Sequence, residues 1–326
     1  MASLDVSTDA ARRPFPGRRA RLGDLLLQGA AGIAAFGALV LVGLIIWKVV
    51  QGSRLAISTY GLSFVWTVAW DPVHKTFGAG SLLFGTVITS IGALLLATPI
   101  ALGIALFLSE LAPRWIRAPV TALVETLAAI PSVVIGLWGL LVLAPLLRDH
   151  VSPALHSGLG FVPLFGASGT YSSNVFAAII VLTIMILPII ASISRELFLA
   201  VPADLKEGAL GLGATRWEMI RGVVLPYSRG GVVAAIILGF GRAIGEAIAV
   251  ALVIGAVIGV NWNLFQPGYT LASILANTYQ GGTSSGLELS SLIYCALILL
   301  VFSILVNLLA QFIVRRSGRR LAGQTR

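Results

Sequence analysis

Two ionisable residues stand where the surrounding sequence has none. Arg242 and Glu246 lie in Gly239-Phe240-Gly241-Arg242-Ala243-Ile244-Gly245-Glu246, inside an otherwise apolar stretch. On insertion scales each costs about 2.5–3.5 kcal/mol at the centre of a membrane helix, and neither is near enough to the expected helix ends to reach water easily. At a separation of four residues they would share one helix face, and Gly241 and Gly245 leave room beside them. A guanidinium offers a planar fork of donors that matches a tetrahedral oxyanion. A neighbouring carboxylate would orient that fork, weaken binding enough for release, and accept a hydrogen bond from a still-protonated oxyanion. Two other readings use the same pair: an internal ion pair holding one helix against another, or the active site of a membrane enzyme. No companion Ser/His/Asp or metal cluster accompanies it, which weighs against the enzyme.

Other chemistry finds little support. A phosphate-cradling nucleotide loop needs Gly-x-x-x-x-Gly-Lys-Ser/Thr, whereas the single Lys-Thr pair, Lys75-Thr76, follows His74. His74, His150 and His156 lack metal-ligand spacing, so neither a metal nor a cofactor is expected. The one cysteine, Cys295, sits in an apolar run and serves small-residue packing; no internal disulfide can form.

The elements that must position the pair follow from composition. Hydrophobic residues make up 57% of the 326 and charged residues 11%, too little charge to cover a soluble surface of this size. The uncharged stretches 25–47, 76–109, 126–147, 157–194, 247–287 and 289–314 each hold at least 22 residues, and a helix needs about 20 to span a bilayer. The expected fold class is all-α, a polytopic membrane protein with six transmembrane helices over about 25–50, 80–108, 120–146, 175–199, 230–260 and 288–314. Residues 1–21 read as a basic tail and 22–326 as the transmembrane domain. The first apolar run is longer than a signal-peptide core and reads as an uncleaved helix. Pro99, Pro131 and Pro188 mark expected kinks.

The net charge of +9 is placed, not scattered. Seventeen of 22 Lys/Arg lie in Arg12–Arg21, Arg114 and Arg117, Arg195–Arg229 and Arg315–Arg326, all on one side of the expected topology. That is the positive-inside pattern, with both termini cytoplasmic. It accounts for the charge without nucleic acid. The outside loops are then 51–79, 147–174 and 261–287, which carry interfacial Trp66, Trp70 and Trp262.

Residues 201–228 form the longest internal cytoplasmic connection and read as two short helices. Asp204 and Glu207 favour a helix start after Pro202, Gly211 and Gly213 break it, Thr215-Arg216-Trp217-Glu218 is a capping box, and Pro226 ends the second. Here the chain resembles a known family. Glu207-Gly208-Ala209-xxx-Gly213, nine residues, then Val223-Val224-Leu225-Pro226 is similar to the EAA motif of ATP-binding-cassette (ABC) importer permeases, with Gly208 for Ala and Val223 for Ile. The resemblance implies a type I importer permease (MetI-like) fold. It also implies that Glu207, Ala209 and Gly213 belong to a joint docking into a cytoplasmic ATPase. An ordinary amphipathic interfacial segment is the alternative.

The stretch around Arg242 narrows the resemblance. Gly-Arg-Ala-Ile-Gly-Glu, Ala129–Gly139 and Gly85–Ser90 look like the phosphate-specific permeases of PstC type rather than PstA type, with similarity over about residues 60–315. The resemblance implies import of inorganic phosphate across the bacterial inner membrane, with Arg242 and Glu246 on the pathway and Ser132 as a lesser pathway hydroxyl. Glu125 reads equally as a structural partner. Implied partners are a PstA-type permease in a heterodimer, two PstB-type ATPases and an extracytoplasmic PstS-type phosphate-binding protein. The chain itself would not be an enzyme. A permease for another oxyanion, such as molybdate or sulfate, and a non-transporting scaffold remain as alternatives.

Overall fold

The computed structural model describes residues 19–167, 171–280 and 286–322. Residues 1–18 of the expected basic tail lie outside the described residues, as do parts of two expected outside loops and the last residues of the C-terminal basic segment. The chain divides into two compact units, Met1–Gln51 and Gly52–Arg326. The first holds most of α1 (Arg19–Tyr60), whose Leu26, Ile33, Leu39 and Ile45 are exposed, a surface suited to lipid.

The second unit continues from Gly52 through an antiparallel ribbon of β1 (Trp70–Asp71) and β2 (Thr76–Phe77). It then runs through α2 (Gly80–Leu106), α3 (Arg114–Ala129), α4 (Ser132–Trp138), α5 (Ala144–Leu146), α6 (Ser152–Leu159) and α7 (Val175–Leu199). After these come α8 (Ala203–Gly211), α9 (Arg216–Met219), α10 (Leu225–Gly245), α11 (Ile248–Val253), α12 (Leu271–Gln280) and α13 (Gly286–Ala322). Among the described residues the fold is all-α apart from the ribbon. Six helical stretches among the described residues are long and apolar enough to cross a membrane: Gly23–Val65, Gly80–Leu111, Ser132–Leu159, Val175–Leu199, Arg216–Gly245 and Gly286–Phe312.

Three of these differ from the sequence expectation. The first, expected over 25–50, runs on to Val65 inside the expected outside loop. The stretch expected over 120–146 is broken: α3 stops at Ala129, Ile130 and Pro131 are extended (ψ 128° and 138°), and helix resumes at Ser132. A proline disfavours helical backbone at the residue before it, so the long apolar helix starts later and runs through the expected outside loop to Leu159. The stretch expected over 230–260 starts instead at Arg216 and ends at Gly245, with Glu246 extended (ψ 116°) before α11. Pro226 therefore does not end the second short helix of the loop; α9 continues into α10.

The continuity past Pro226 has a local cause. Four π-turns occur among the described residues, at Phe107–Leu111, Gly139–Leu143, Leu147–Val151 and Ile220–Val224. Each ends two residues before a proline: Pro113, Pro145, Pro153 and Pro226. A proline ring clashes with the carbonyl one turn back and offers no N–H to it. At Pro145, Pro153 and Pro226, widening the preceding turn by one residue relieves that conflict without ending the helix, whereas before Pro113 the helix ends and Ala112 is extended (ψ 133°). By contrast, Pro99 and Pro188 sit inside α2 and α7 without interrupting them.

α7 is the centre of the core, with Val181, Leu182, Ile186 and Ile190 fully or almost fully buried among α2, α4, α10 and α11. Its first turn is capped by Asn174, whose side chain accepts the Ala177 N–H at 2.9 Å. α2 meets the segment before α12 at Gly85, where a Cβ would stand 1.9 Å from the Tyr269 carbonyl oxygen. One residue on, the Thr86 hydroxyl accepts the Leu271 N–H at 2.9 Å. A second cluster gathers Phe64, Phe77, Leu82, Leu271 and Cys295, with Phe64 stacked on Tyr294 at 4.6 Å between ring centroids. A third, of Ala105, Phe198, Val201, Met219, Ile220, Val224 and Val232, lies under α8.

Candidate functional site

The break after Gly245 shapes the surroundings of Arg242. Arg242 occupies the last turn of α10, where backbone carbonyls lacking helical partners favour a cation. Glu246 lies beyond the helix end, so the two residues do not share one continuous helix face as expected. They nonetheless meet, with Arg242 Nη2 3.4 Å from Glu246 Oε2. The other carboxylate oxygen, Oε1, accepts the Ala249 N–H at 3.3 Å and so caps the start of α11. The Glu246 carboxylate is thereby fixed twice, by the backbone of α11 and by the guanidinium.

Exposure separates the two partners. The Glu246 side chain is 5% exposed and that of Arg242 is 50% exposed. Beside Arg242, a Cβ at Gly245 would meet nothing within 4 Å, and one at Gly241 only the Asn307 amide oxygen at 4.0 Å. The guanidinium thus stands on an open face of the chain with donors left over for a ligand.

Ser132 opens α4, directly after the Ile130-Pro131 break, and is half-buried. α4 and the turn that continues it pack closely on α11: a Cβ at Gly136 would lie 2.7 Å from Ala249 Cα, and one at Gly139, just past α4, would lie 3.1 Å from Val253. These two contacts put the helices in parallel register, with the chain breaks before Ser132 and Ile248 on the same side of that contact. Discontinuous helices of this kind are a recurring feature of substrate sites in membrane transporters. Ser132 makes no hydrogen bond to the Arg242–Glu246 pair. Glu125 is exposed on α3 and pairs with neither residue.

The loop motif takes a definite shape. Glu207 is exposed on α8, Ala209 packs half-buried against the third cluster, and Gly213 adopts φ +89°, the left-handed conformation that glycine allows. The capping box is present: the Thr215 hydroxyl accepts the Glu218 N–H at 3.3 Å, and the Glu218 carboxylate accepts the Thr215 N–H at 2.8 Å. Leu205, Leu210, Leu212 and Trp217 are exposed around Glu207. Missing from the sequence expectation is the residue beside Glu207. Lys206 turns inward and binds Glu110, at the far end of the α2 stretch, at 2.6 Å. Neither residue carries a motif, and only the fold brings them together.

This arrangement of broken helices and an ordered loop can be set beside known proteins. The family described as the inner membrane component of binding-protein-dependent transport systems matches residues 97–321. The chain belongs to this family. It is a multi-pass membrane component of an ABC-type transport system that works with other subunits. The phosphate transport system permease protein PstC of Pasteurella multocida is 42% identical over 300 residues, covering 91% of this chain and 93% of that one. PstC 2 of Mycobacterium tuberculosis is 44% identical over 247 residues, covering 74% of this chain and 76% of its own. Among solved structures, a bacterial alginate ABC transporter has a chain with a TM-score of 0.58 at 14% identity, covering 90% of this chain and 96% of that one. The inward-facing MetNI methionine ABC transporter gives 0.53 at 20% identity, covering 72% and 93%. Those likenesses establish the importer-permease fold.

Proposed function

We propose that this chain is the PstC-type permease subunit of an ATP-driven importer that carries inorganic phosphate across the bacterial inner membrane by alternating access. The relatives named as phosphate transport permeases, matched along nine-tenths of the chain, carry the reading. Arg242, half-exposed on an open face and oriented by a buried carboxylate, suits a tetrahedral oxyanion that must be bound and then released. Glu246 positions the guanidinium, and Ser132 supplies a hydroxyl from the neighbouring helix start. A PstA-type permease would close the open face of α10 and complete the pathway between two subunits. ATP hydrolysis belongs to two PstB-type subunits docked on the surface around Glu207, and a PstS-type protein delivers phosphate from outside. In this arrangement the basic segments lie on the cytoplasmic side with both termini.

Radiolabelled phosphate uptake in a strain lacking the chain, with and without its restoration and with competing oxyanions, tests the assignment. Restored uptake that excess unlabelled phosphate abolishes, and that molybdate and sulfate leave unchanged, is expected. Competition by sulfate or molybdate as effective as that by phosphate would overturn it.

A further inference from the structure

At the end of the bundle that carries α8, away from Arg242, three further guanidiniums gather. A groove of about 390 Å³ is lined by Arg114, Arg117, Thr121 and Glu125 of α3 together with Arg195 of α7. Sequence alone assigns these arginines only to membrane orientation. Their hydrogen bonding points to more.

Arg117 Nη2 donates to the carbonyls of Ala112 at 3.2 Å and Ser109 at 3.3 Å, which holds the guanidinium against the turn before α3. Its Nε is buried and meets no protein acceptor. Arg195 Nη1 donates to the neighbouring Glu196, while its Nε is likewise buried without an acceptor. The Thr121 hydroxyl is the third such group. Of seven buried side-chain polar atoms without a partner among the described residues, these three line one groove. Buried donors are ordinarily bonded, and an arginine cannot shed its charge to escape the cost. Three unmatched polar groups on two helices border one groove, and two of them belong to guanidiniums that also keep terminal N–H groups without a protein acceptor, which describes a site for an acceptor-rich anion.

The charge balance agrees. The lining carries three guanidiniums against one carboxylate, Glu125, and the Glu196 carboxylate that pairs with Arg195 still leaves the positive charge in excess. Arg114 is exposed at the mouth, and next to it Trp115 is 77% exposed, with Leu123 exposed further along α3. An exposed tryptophan beside arginines, above apolar surface, is the composition of a headgroup-level site. We propose that this groove binds a phosphoryl oxyanion, held by the guanidiniums of Arg117 and Arg195 beside Thr121, with Arg114 closing the mouth. α3 buries none of its own residues, so an anion bridging it to α7 would brace the helix that leads to the Ser132 break. The phosphoryl group can come from an anionic phospholipid or from free phosphate. The proposal is independent of which solute the chain transports.

The full-length chain, purified with its accompanying subunits, carries R242Q throughout the test so that the Arg242 site does not contribute. In one arm the protein is placed in nanodiscs of phosphatidylcholine with or without phosphatidylglycerol, and retained anionic lipid is counted by native mass spectrometry. In the other, radiolabelled inorganic phosphate is titrated in nanodiscs of phosphatidylcholine alone. Binding in at least one arm, weakened at least tenfold by R117Q/R195Q, is expected; the arm that responds identifies the source. Should R117Q/R195Q not purify intact, R114Q/T121V takes its place, since neither side chain bonds another protein group, and a loss of at least threefold is expected. No binding in either arm, or binding unchanged by the substitutions, overturns the proposal.

Discussion

Lys206 Nζ lies 2.6 Å from a carboxylate oxygen of Glu110 and 3.0 Å from the Phe198 carbonyl oxygen. The two side chains are only 17% and 8% exposed, so the pair is shielded from water. It ties α8 to the end of the long helical stretch that begins at Gly80. A movement imposed on α8 is therefore passed to that stretch through a charged bond as well as through apolar packing. Removing one partner strands the other. Lys206→Met is expected to destabilise the protein by about 3 kcal/mol, in the range for one partner lost from a buried pair. Lys206→Met with Glu110→Leu should recover most of that loss, because a matched apolar pair can replace a buried ion pair. Thermal unfolding of the purified variants measures both, and a double variant no more stable than the single one would contradict the tie.

Arg242→Ala is expected to leave the protein in the membrane with its accompanying subunits and to reduce phosphate uptake by about tenfold to a hundredfold. That range corresponds to about 1.5–3 kcal/mol for lost hydrogen bonds between charged groups. Uptake by intact cells, normalised to the amount of protein in the membrane, is the measurement. Unimpaired uptake would remove Arg242 from the pathway.

The surface around Glu207 should be a subunit contact. A cysteine at 207 is expected to crosslink to the ATPase, whereas one at buried Val201 should not. Mass spectrometry of the crosslinked product identifies the partner. Absence of a crosslink at every position from 205 to 215 would count heavily against docking there.

Gly85→Ala should be far more costly than an ordinary glycine-to-alanine change in a helix. The added Cβ would lie 1.9 Å from the Tyr269 carbonyl oxygen, and backbone cannot step aside as a flexible side chain can. Separation of α2 from the start of α12 would also stretch the Thr86–Leu271 bond. A loss of about 1–3 kcal/mol is expected from overpacking of this kind. Gly208→Ala on α8, which meets nothing within 4 Å, is the control and should be neutral or slightly stabilising.

The β1–β2 ribbon carries a pH-dependent pair. Hydrogen bonding to the Asp71 carboxylate, and then its charge, raises the His74 imidazole above its usual 6.5. Hydrogen bonds from His74 lower the Asp71 carboxyl below its usual 3.8. The imidazole's share of turn stability is thus complete below pH 6.5 and lost as pH rises through the raised value. The carboxylate's share is complete above pH 3.8 and lost as pH falls through the lowered value. Proteolysis of the 71–76 turn should be slowest between these limits. His74→Ala should abolish the dependence on the alkaline side, and a wild-type profile flat from pH 5 to 8 would refute the pairing.

Much of this organisation is legible in the sequence because it depends on local rules. Four of the six long uncharged stretches, 25–47, 76–109, 157–194 and 289–314, each coincide with one membrane-length helix, because an apolar run of that length suits lipid by itself. The Thr215–Glu218 box and the left-handed Gly213 are settled within a few residues by capping and backbone sterics. The cost of Arg242 and Glu246 in an apolar run is likewise a property of the run itself. Pro226 is less transparent: proline argues for a stop, but one added residue in the preceding turn lets the helix continue.

What the tertiary structure decided is which groups meet and which stay open. Glu246 lies outside the expected helix, where its carboxylate bonds the first turn of α11 while holding Arg242. No spacing rule pairs Lys206 with Glu110 across 96 residues. The arginines of α3 and α7, which sequence assigns only to membrane orientation, converge because packing places two helix ends side by side. The 11% of residues that carry charge established the membrane class. Packing decided which of those charges are braces, which are free for a ligand, and which only face water, because burial and partnership are properties of three-dimensional neighbours.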